Sequence, residues 1–443
     1  MEEMNAMAKK IALVSLGCPK NLVNSEEMLA LMEEAGFDFC ETMDEADAVV
    51  INTCGFIGDA KEEAINCILQ AAELKKEKPE MKIIVCGCLS QRYRKEMAEE
   101  IPEVDAMMGT ADYGNIVSVL KETLSGGHPQ AFTRLNAPVP ELPRMVSTGP
   151  SWAYFRIAEG CDNHCAFCII PFLRGPYRSR RMEELLEEAK GLADCGIKEL
   201  IVVAQDITRY GIDLYGKPSL AALLKELCKL DFHWIRLHYL YPEVIDDELI
   251  DVIAREEKIV KYLDIPIQHI NDGILQRMNR RCTGEQIRTL FAKLRERIPG
   301  LVLRTSLIAG LPGEGEEEFE ELCGFLREAR LERAGVFPLS PEEGTPVAAM
   351  TDRCDEEEAR RRAELIMDLQ AEVMDEWNER RMGTVEEVFV QGYTDEGLWG
   401  RTYADSPEID GRVLFTGTAL PGEMVMVRIT GTDDGDLTGE QVE

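Results

Sequence analysis

Three cysteines in one short loop constrain this chain more than any other feature of its sequence. Cys161, Cys165 and Cys168 have the spacing C-x-x-x-C-x-x-C and directly follow a predicted strand. This spacing places three thiolates within reach of one cluster of soft metal ions. A structural zinc ion takes four ligands, for which His164 is the spare candidate, whereas a 4Fe–4S cluster held by three cysteines leaves one iron open. We therefore predict a 4Fe–4S cluster, with His164 as an ordinary loop residue.

A second set of cysteines is spread along the N-terminal part of the chain. Alternating strand and helix patterns up to residue 125 predict a parallel α/β domain of the Rossmann or flavodoxin-like kind. Cys18, Cys54 and Cys88 each follow one of its three main strands. The carboxyl ends of parallel strands converge on one edge of a sheet, so these thiols are predicted to meet there, with plain packing of buried free cysteines as the alternative. Cys86 is the rival of Cys88, but it lies earlier in its strand.

The rest of the chain divides into a linker and two more domains, which gives bounds of 1–125, 126–150, 151–381 and 382–443. The linker is rich in glycine and proline. Six strand candidates alternating with amphipathic helices then predict an incomplete, TIM-like (β/α)6 barrel, short of the full eight units. The last segment is rich in Val, Thr and Gly without a helical period, which predicts a small antiparallel β barrel of the OB-like kind.

The charge balance restricts the class of partner. The chain has 49 Lys and Arg against 82 Asp and Glu, a formal net charge of −33. Phosphate binding needs clustered cations, so this balance disfavours a nucleic-acid coat and permits a basic macromolecular partner. Residues 382–443 alone carry 13 acidic and 3 basic residues. One local cluster is basic and consists of Arg174, Arg178, Arg180 and Arg181. It is interpreted either as a contact for RNA or as a set of partners for the abundant acidic residues.

The sequence has none of the patterns of an exported or membrane protein. Its first apolar run begins at Ile11 and continues as a strand, and no stretch approaches the roughly 20 apolar residues of a membrane span. Its 14 cysteines are too sparse for a secreted disulfide scaffold of this length. We therefore expect a cytoplasmic protein without a membrane partner.

The first cysteine loop carries a family resemblance. Residues 160–168 (Gly-Cys-Asp-Asn-His-Cys-Ala-Phe-Cys), followed by Ile169-Ile170-Pro171, resemble the signature of radical S-adenosylmethionine (SAM) enzymes. The resemblance implies that the open iron binds SAM and that reductive cleavage gives a 5′-deoxyadenosyl radical, which abstracts hydrogen from carbon.

Four further residues are expected to contact SAM. Phe167 would pack against the adenine, and Ile308 lies in a stretch that resembles another adenine contact. Gln205 ends the second barrel strand, where the family places groups near the methionine amine. Arg304 lies on the fifth strand and would pair with the SAM carboxylate. The alternatives are a structural ion pair for Arg304, a strand-end hydrogen bond for Gln205 and loop packing for Phe167.

Both cysteine sets and the β tail together resemble the methylthiotransferases over nearly the whole chain. Residues 15–26 (Ser-Leu-Gly-Cys-Pro-Lys-Asn-Leu-Val-Asn-Ser-Glu) are similar to the RimO branch, as are residues 204–211 and 340–346, although Ile207 departs from the expected Thr. This resemblance implies two 4Fe–4S clusters, the first of them on Cys18, Cys54 and Cys88. It also implies SAM as both methyl donor and radical source, and a C-terminal TRAM domain. The implied reaction inserts a methylthio group at the β-carbon of an aspartate in a basic small-subunit ribosomal protein. A reductant such as flavodoxin and a sulfur donor are implied as partners.

Two alternatives remain open from the sequence. A tRNA methylthiotransferase of the MiaB branch would use the same chemistry, although that branch typically has Gln and Met after the first cysteine, and the acidic charge disfavours tRNA. A non-catalytic iron–sulfur or zinc protein would use the β tail as an interaction module. Salt-dependent tRNA binding tests the first alternative, and metal analysis with a SAM cleavage assay tests the second.

Overall fold

The computed structural model describes residues 9–149 and 151–442. Its first domain is a parallel sheet with the hydrogen-bonded order β2-β1-β3-β4-β5-β6. The strands are β1 (Lys10–Ser15), β2 (Asp38–Phe39), β3 (Ala48–Thr53), β4 (Lys82–Gly87), β5 (Ala106–Met108) and β6 (Gln130–Ala131). The helices are α1 (Pro19–Glu34), α2 (Gly58–Glu77), α3 (Cys88–Arg92), α4 (Arg94–Glu100) and α5 (Ile116–Leu124).

Helices cover both faces of this sheet, as the predicted parallel α/β fold requires. Every residue of the central strand β3 is buried. Helices α1 and α5 pack on one face around Met28, Met32 and Ile116. Helix α2 packs on the other face through Ala64 and Ile68. The prediction of a parallel α/β domain is confirmed, with β6 as a short edge strand inside the segment predicted as a linker.

The second domain is a six-stranded parallel sheet with the order β14-β13-β12-β11-β10-β7, which confirms the predicted incomplete barrel. Its strands are β7 (Trp152–Arg156), β10 (Glu199–Val203), β11 (Trp234–Leu237), β12 (Ile259–Asp264), β13 (Val302–Ala309) and β14 (Arg333–Pro338). A separate antiparallel pair consists of β8 (Ala158–Glu159) and β9 (Arg178–Ser179). The helices are α6 (Ile170–Arg174), α7 (Met182–Asp194), α8 (Ile212–Tyr215), α9 (Leu220–Leu227), α10 (Asp247–Arg255), α11 (Asp272–Arg277), α12 (Gly284–Arg297), α13 (Glu316–Ala329), α14 (Pro346–Ala349) and α15 (Glu356–Arg381).

The third domain is a closed barrel with the order β15-β16-β17-β19-β18. Its strands are β15 (Val385–Thr394), β16 (Gly397–Arg401), β17 (Val413–Thr416), β18 (Met424–Asp433) and β19 (Asp436–Val442). The antiparallel prediction is correct for every neighbouring pair except β17 and β19, which are parallel. A closed ring of five strands cannot alternate in direction throughout, so one parallel pair is unavoidable.

The β barrel docks against the amino-terminal ends of the parallel strands of the second domain. Phe389 of β15 packs with Trp152 and Trp234, the first residues of β7 and β11. The segment after β16 also enters this interface, where Ala404 is fully buried and Asp405 pairs with Arg333 at 2.6 Å. The carboxyl-terminal ends of the same strands are therefore left to the other side of the molecule.

Every helix in residues 9–149 and 151–442 is too short or too polar to cross a membrane.

Candidate metal centres

Cys18, Cys54 and Cys88 lie together at the carboxyl edge of the N-terminal sheet. Cys18 lies between β1 and α1, Cys54 directly follows β3, and Cys88 directly follows β4 as the first residue of α3. Burial, and then the charges of the Cys18 and Cys88 thiolates, raise the pKa of Cys54 to about 12. The three thiols, which are distant in sequence, are thus close enough to influence one another, as the strand-end argument predicted.

A glycine beside each of these cysteines permits the close approach of the three loops. A Cβ on Gly17 would lie 2.7 Å from the Cβ of Cys54, and Gly17 has a φ of +91°. A Cβ on Gly55 would lie 2.9 Å from backbone atoms of Cys88. Gly87 has a φ of +96°, in the left-handed region that other residues avoid. The cysteine loops therefore need small, conformationally free neighbours.

The structure separates Cys88 from its rival Cys86. Cys86 is fully buried within β4, and its sulfur lies 4.0 Å from the sulfur of Met28 in the core under α1. Burial raises the pKa of the Cys86 thiol. Cys88 instead packs against Ile169 and Leu173 of the second domain. The geometry favours Cys88 as the third thiol of the N-terminal set.

Cys161, Cys165 and Cys168 occupy the loop between β8 and α6, at the carboxyl end of the first barrel strand. The backbone N–H of Cys168 donates to the carbonyl of Cys165 at 2.9 Å, which curls the loop. Burial is the main cause that raises the pKa of Cys161 to about 12, and the nearby Cys165 thiolate adds to it. The hydroxyl of Tyr241 and a guanidinium nitrogen of Arg280 each lie 3.7 Å from the sulfur of Cys165.

The thiol sets suit an iron–sulfur cluster in their donor chemistry. Each set offers three soft ligands, which are typical of iron–sulfur sites. Among the described residues, no group of three His, Cys, Asp or Glu side chains is placed to hold a single metal ion. A four-iron cluster takes one thiolate on each ligated iron, so its ligands need not meet at one point. His164, the candidate zinc ligand, is exposed.

Three of the four predicted SAM contacts lie near the second cysteine loop. The amide nitrogen of Gln205 donates to Glu159 at 2.8 Å, while its amide oxygen is buried without a hydrogen-bond partner in the described part of the chain. Phe167 and Ile308 pack against the same apolar cluster, around Leu311. A cavity of about 690 Å³ borders this loop and is lined in part by Cys165, Cys168, Phe172, Thr345 and Pro346.

Arg304, the fourth predicted SAM contact, lies in ion pairs with two carboxylates. It is the third residue of β13 and donates to Asp264 at 2.8 Å. Its guanidinium also lies 3.7 Å from a carboxylate oxygen of Asp410, which belongs to the segment that enters from the β barrel. Two carboxylates therefore engage Arg304, as its alternative role in a structural ion pair expects, and its contact with SAM stays a prediction.

Arg174, which follows the second cysteine loop, contacts helix α1 of the first domain across the domain interface. It is fully buried at the end of α6 and donates to Asn21 and Asn24 of α1 at 2.8 Å each. Burial alone would raise the pKa of Cys18, but Lys20 and Arg174 outweigh it and lower that pKa. The sequence placed Arg174 only in a basic cluster, because nothing local indicated that it would reach the other domain.

The surroundings of the other arginines in the basic cluster favour the interpretation that they pair with acidic residues. Arg180 is buried and pairs with Glu188 at 2.6 Å and with Glu141. Only Arg181 of the four arginines is exposed.

A second link between the domains is Glu342, whose carboxylate accepts from Lys61 at 2.7 Å and from Arg92 at 2.5 Å.

Three family models match the three domains in order. The uncharacterized protein family UPF0004 matches residues 10–109, the radical SAM superfamily matches residues 155–326, and the TRAM domain matches residues 382–442. Among solved structures, the radical SAM methyltransferase TsrM from Kitasatospora setae has a TM-score of 0.56 at 14% identity, covering 77% of each chain. The cobalamin-dependent radical SAM enzyme OxsB has a TM-score of 0.51 at 14% identity, covering 83% of this chain and 56% of its own. At this identity the likeness concerns the fold.

Relatives over the full length are much more similar. A protein of Acetivibrio thermocellus, named ribosomal protein uS12 methylthiotransferase RimO, is 47% identical over 450 residues, covering 98% of this chain and 99% of its own. A protein of the same name from Pelotomaculum thermopropionicum is 48% identical over 453 residues, covering 98% of this chain and 100% of its own. The chain therefore belongs to the RimO family of radical SAM methylthiotransferases.

Proposed function

We propose that this protein inserts a methylthio group at the β-carbon of an aspartate in ribosomal protein uS12, using two 4Fe–4S clusters and SAM. The observation that carries the proposal is the placement of two three-cysteine sets on either side of one domain interface. Cys88 packs directly against Ile169 and Leu173, which follow the second cysteine loop. One substrate carbon is thus able to meet the chemistry of both sets, which a methylthiotransferase needs.

We assign Cys18, Cys54 and Cys88 to the first cluster. We assign the cysteines of residues 161–168 to the second cluster, which binds SAM. The buried, unpartnered amide oxygen of Gln205 supports this placement, because the amine of SAM would supply the missing donor. The adjacent cavity, with Phe167 and Ile308 nearby, suits the adenosine moiety.

The residues at the interface bind and orient the reacting groups, and they exclude water from them. When bound, the clusters and SAM supply the sulfur, methyl and radical chemistry. Arg174 brings a positive charge to the thiolates of the first set and at the same time holds α1 against the second domain. Both cysteine loops are largely buried, so bulk water has little access to a reactive radical there.

Charge supports a basic ribosomal protein over tRNA as the substrate. Within residues 382–442, seven acidic residues are exposed: Asp395, Glu396, Glu408, Glu423, Asp433, Asp434 and Glu440. An acidic surface repels phosphate and attracts a protein that is itself basic. The arginines that would have contacted RNA are instead engaged, since Arg174 and Arg180 are buried in ion pairs. A reductant such as flavodoxin and a sulfur donor complete the proposed set of partners.

Mass spectrometry of uS12 tests the proposal. The anaerobically reconstituted protein is mixed with SAM, a reductant, sulfide and uS12, and we expect one aspartate to gain a methylthio group in place of hydrogen. A uS12 variant with asparagine at that position is the control and should remain unmodified. Modification of tRNA but not of uS12 under the same conditions would contradict the proposal and favour the alternative substrate.

A further inference from the structure

A buried lysine without an acidic partner lies beside the first cysteine set. Lys20 is the second residue of α1 and is only 7% exposed. Its ammonium nitrogen lies 3.6 Å from the centre of the Tyr239 ring. In residues 9–149 and 151–442, no carboxylate oxygen lies within 4 Å of that nitrogen. The ring face offsets only part of the cost of burying an ammonium ion.

Three buried arginines at the interface with the first domain do have acidic partners. The pairs, at 2.6 to 3.2 Å, are Arg144–Glu26, Arg156–Glu27 and Arg174–Glu159. Acidic residues are abundant in a chain with 82 Asp and Glu, so the lack of a partner for Lys20 is not a matter of supply. Lys20 faces the Cys18 thiol, whose pKa it lowers, but no carboxylate of the described residues pairs with it, so its ammonium group is available to a carboxylate that enters.

Tyr239 is held beneath Lys20 in a strained conformation. Its φ is +64°, in the left-handed region that is costly for a bulky side chain. Two hydrogen bonds hold this conformation: its N–H donates to Asp264 at 3.2 Å, and its carbonyl accepts from Ile207 at 3.1 Å. Strain of this kind persists where the surrounding structure over-determines it, and it concentrates at functional sites.

The same segment leads from Lys20 to the second cysteine loop. Tyr239 and Tyr241 follow β11 at its carboxyl end, and the Tyr241 hydroxyl lies 3.7 Å from the sulfur of Cys165. Lys20 itself is two residues after Cys18. Through Tyr239, Lys20 therefore contacts the segment whose Tyr241 reaches the second cysteine loop.

We propose that Lys20 binds the carboxylate of the substrate aspartate. This inference rests on the proposed function, because it requires an aspartate as the reacting residue. The β-carbon is bonded directly to the carboxyl carbon, so an ion pair at Lys20 would hold the reacting carbon beside the first cysteine set, next to the segment that reaches the second. A carboxylate that enters a buried site needs a cationic partner, and an ammonium group offers three donors to it. Lys20 would then be a specificity residue that accepts aspartate and rejects asparagine.

Binding measurements with matched substrates test this role. Fluorescently labelled uS12 and its aspartate-to-asparagine variant are titrated with reconstituted, unreduced full-length protein, so that no turnover occurs. The wild type should bind the aspartate form at least about tenfold more tightly, as expected of a charged hydrogen bond. Lys20→Met should lose this preference. Lys229→Met, at a lysine whose side chain is 67% exposed, is the control and should keep it.

The outcomes separate the inference from the proposed function. Equal weakening of both substrate forms by Lys20→Met would assign Lys20 to packing and overturn the inference. Retention of the full preference by Lys20→Met, while the wild type modifies uS12, would also overturn it and leave the proposed function intact. A wild type that neither modifies uS12 nor prefers its aspartate form would contradict the proposed function itself. Lys20→Gln, with the same expected loss, replaces Lys20→Met if the latter does not load iron.

Discussion

Glu199 joins the C-terminal β barrel to the parallel sheet through a buried ion network. Its carboxylate is fully buried and accepts hydrogen bonds from Arg236 at 2.7 Å and from Arg401 at 2.5 Å. Arg236 belongs to β11 of the second domain, whereas Arg401 is the last residue of β16 in the β barrel. Glu199→Gln preserves the shape of the side chain but leaves two buried guanidinium groups without a counter-charge.

The structure gives this substitution a large expected cost. Removing one partner of a buried ion pair costs about 3–5 kcal/mol, whereas an exposed pair contributes about 0–1 kcal/mol. A matched control lies at the rim of the same interface, where Glu387 contacts His233 at 2.9 Å with its side chain 39% exposed. We therefore expect Glu199→Gln to weaken docking by at least about 2 kcal/mol more than Glu387→Gln does.

Hydrogen exchange measures this difference within one domain, since a single unfolding free energy is not well defined for a three-domain chain. Amides of residues 397–401 should exchange at least about 30-fold faster in Glu199→Gln than in Glu387→Gln. Burial would raise the pKa of Glu199, but Arg401 and Arg236 outweigh it and lower that pKa. The stabilisation is therefore present above the unfolded-state pKa of about 4.3 and is lost as the pH falls through the lower folded value. Equal exchange in the two variants would refute the role of the network.

Three further predictions concern the cysteine sets. Replacing all three cysteines of residues 161–168 by alanine should leave about half of the iron, because the other cluster keeps its ligands; full retention in an iron analysis would reject the assignment. Cys88→Ala should lose the first cluster, and Cys86→Ala should keep it, as measured by absorbance and iron content. Loss of the cluster in Cys86→Ala but not in Cys88→Ala would show that Cys86 is the ligand. Gly17→Ala should also block loading of that cluster, since its Cβ would lie 2.7 Å from a cysteine Cβ. Gly126→Ala is the control, because Gly126 has the same φ of +91° and nothing within 4 Å.

The sequence located the cysteine sets because both depend on local signals. Cys161 and its two neighbours share one loop, and Cys18 and Cys54 follow clear apolar strands, whose carboxyl ends meet at one sheet edge. The choice between Cys86 and Cys88 was harder, because the two residues are separated only by Gly87. The packing of Cys86 against Met28 favours Cys88 as the ligand, and packing between distant elements leaves no periodic pattern in a sequence.

The sequence pattern could not predict which residues act across domain interfaces. Arg174 follows the radical SAM signature, yet its partners Asn21 and Asn24 lie about 150 residues earlier in the chain. Arg304 is the converse case, in which the sequence suggested a ligand and the structure shows a partner from another domain. Its position on a barrel strand suggested a ligand contact, but Asp410, brought in by the docked β barrel, engages it in an ion pair. An arginine on a strand interior has no local signal that separates these two roles.

The acidic residues of the C-terminal barrel have two different roles, which its net charge does not separate. Asp405 and Asp410 are buried in the docking interface, where Asp405 pairs with Arg333 at 2.6 Å and Asp410 accepts from the Tyr262 hydroxyl at 2.6 Å. These carboxylates hold the domains together and cannot attract a basic partner. Removing residues 382–443 would therefore leave buried cations such as Arg333 unpaired, and it would disturb the sheet as well as substrate recognition. The contribution of charge to recognition belongs to the exposed acids alone, and it should fade as salt rises through roughly 0.1 to 0.5 M, while the buried pairs respond much less.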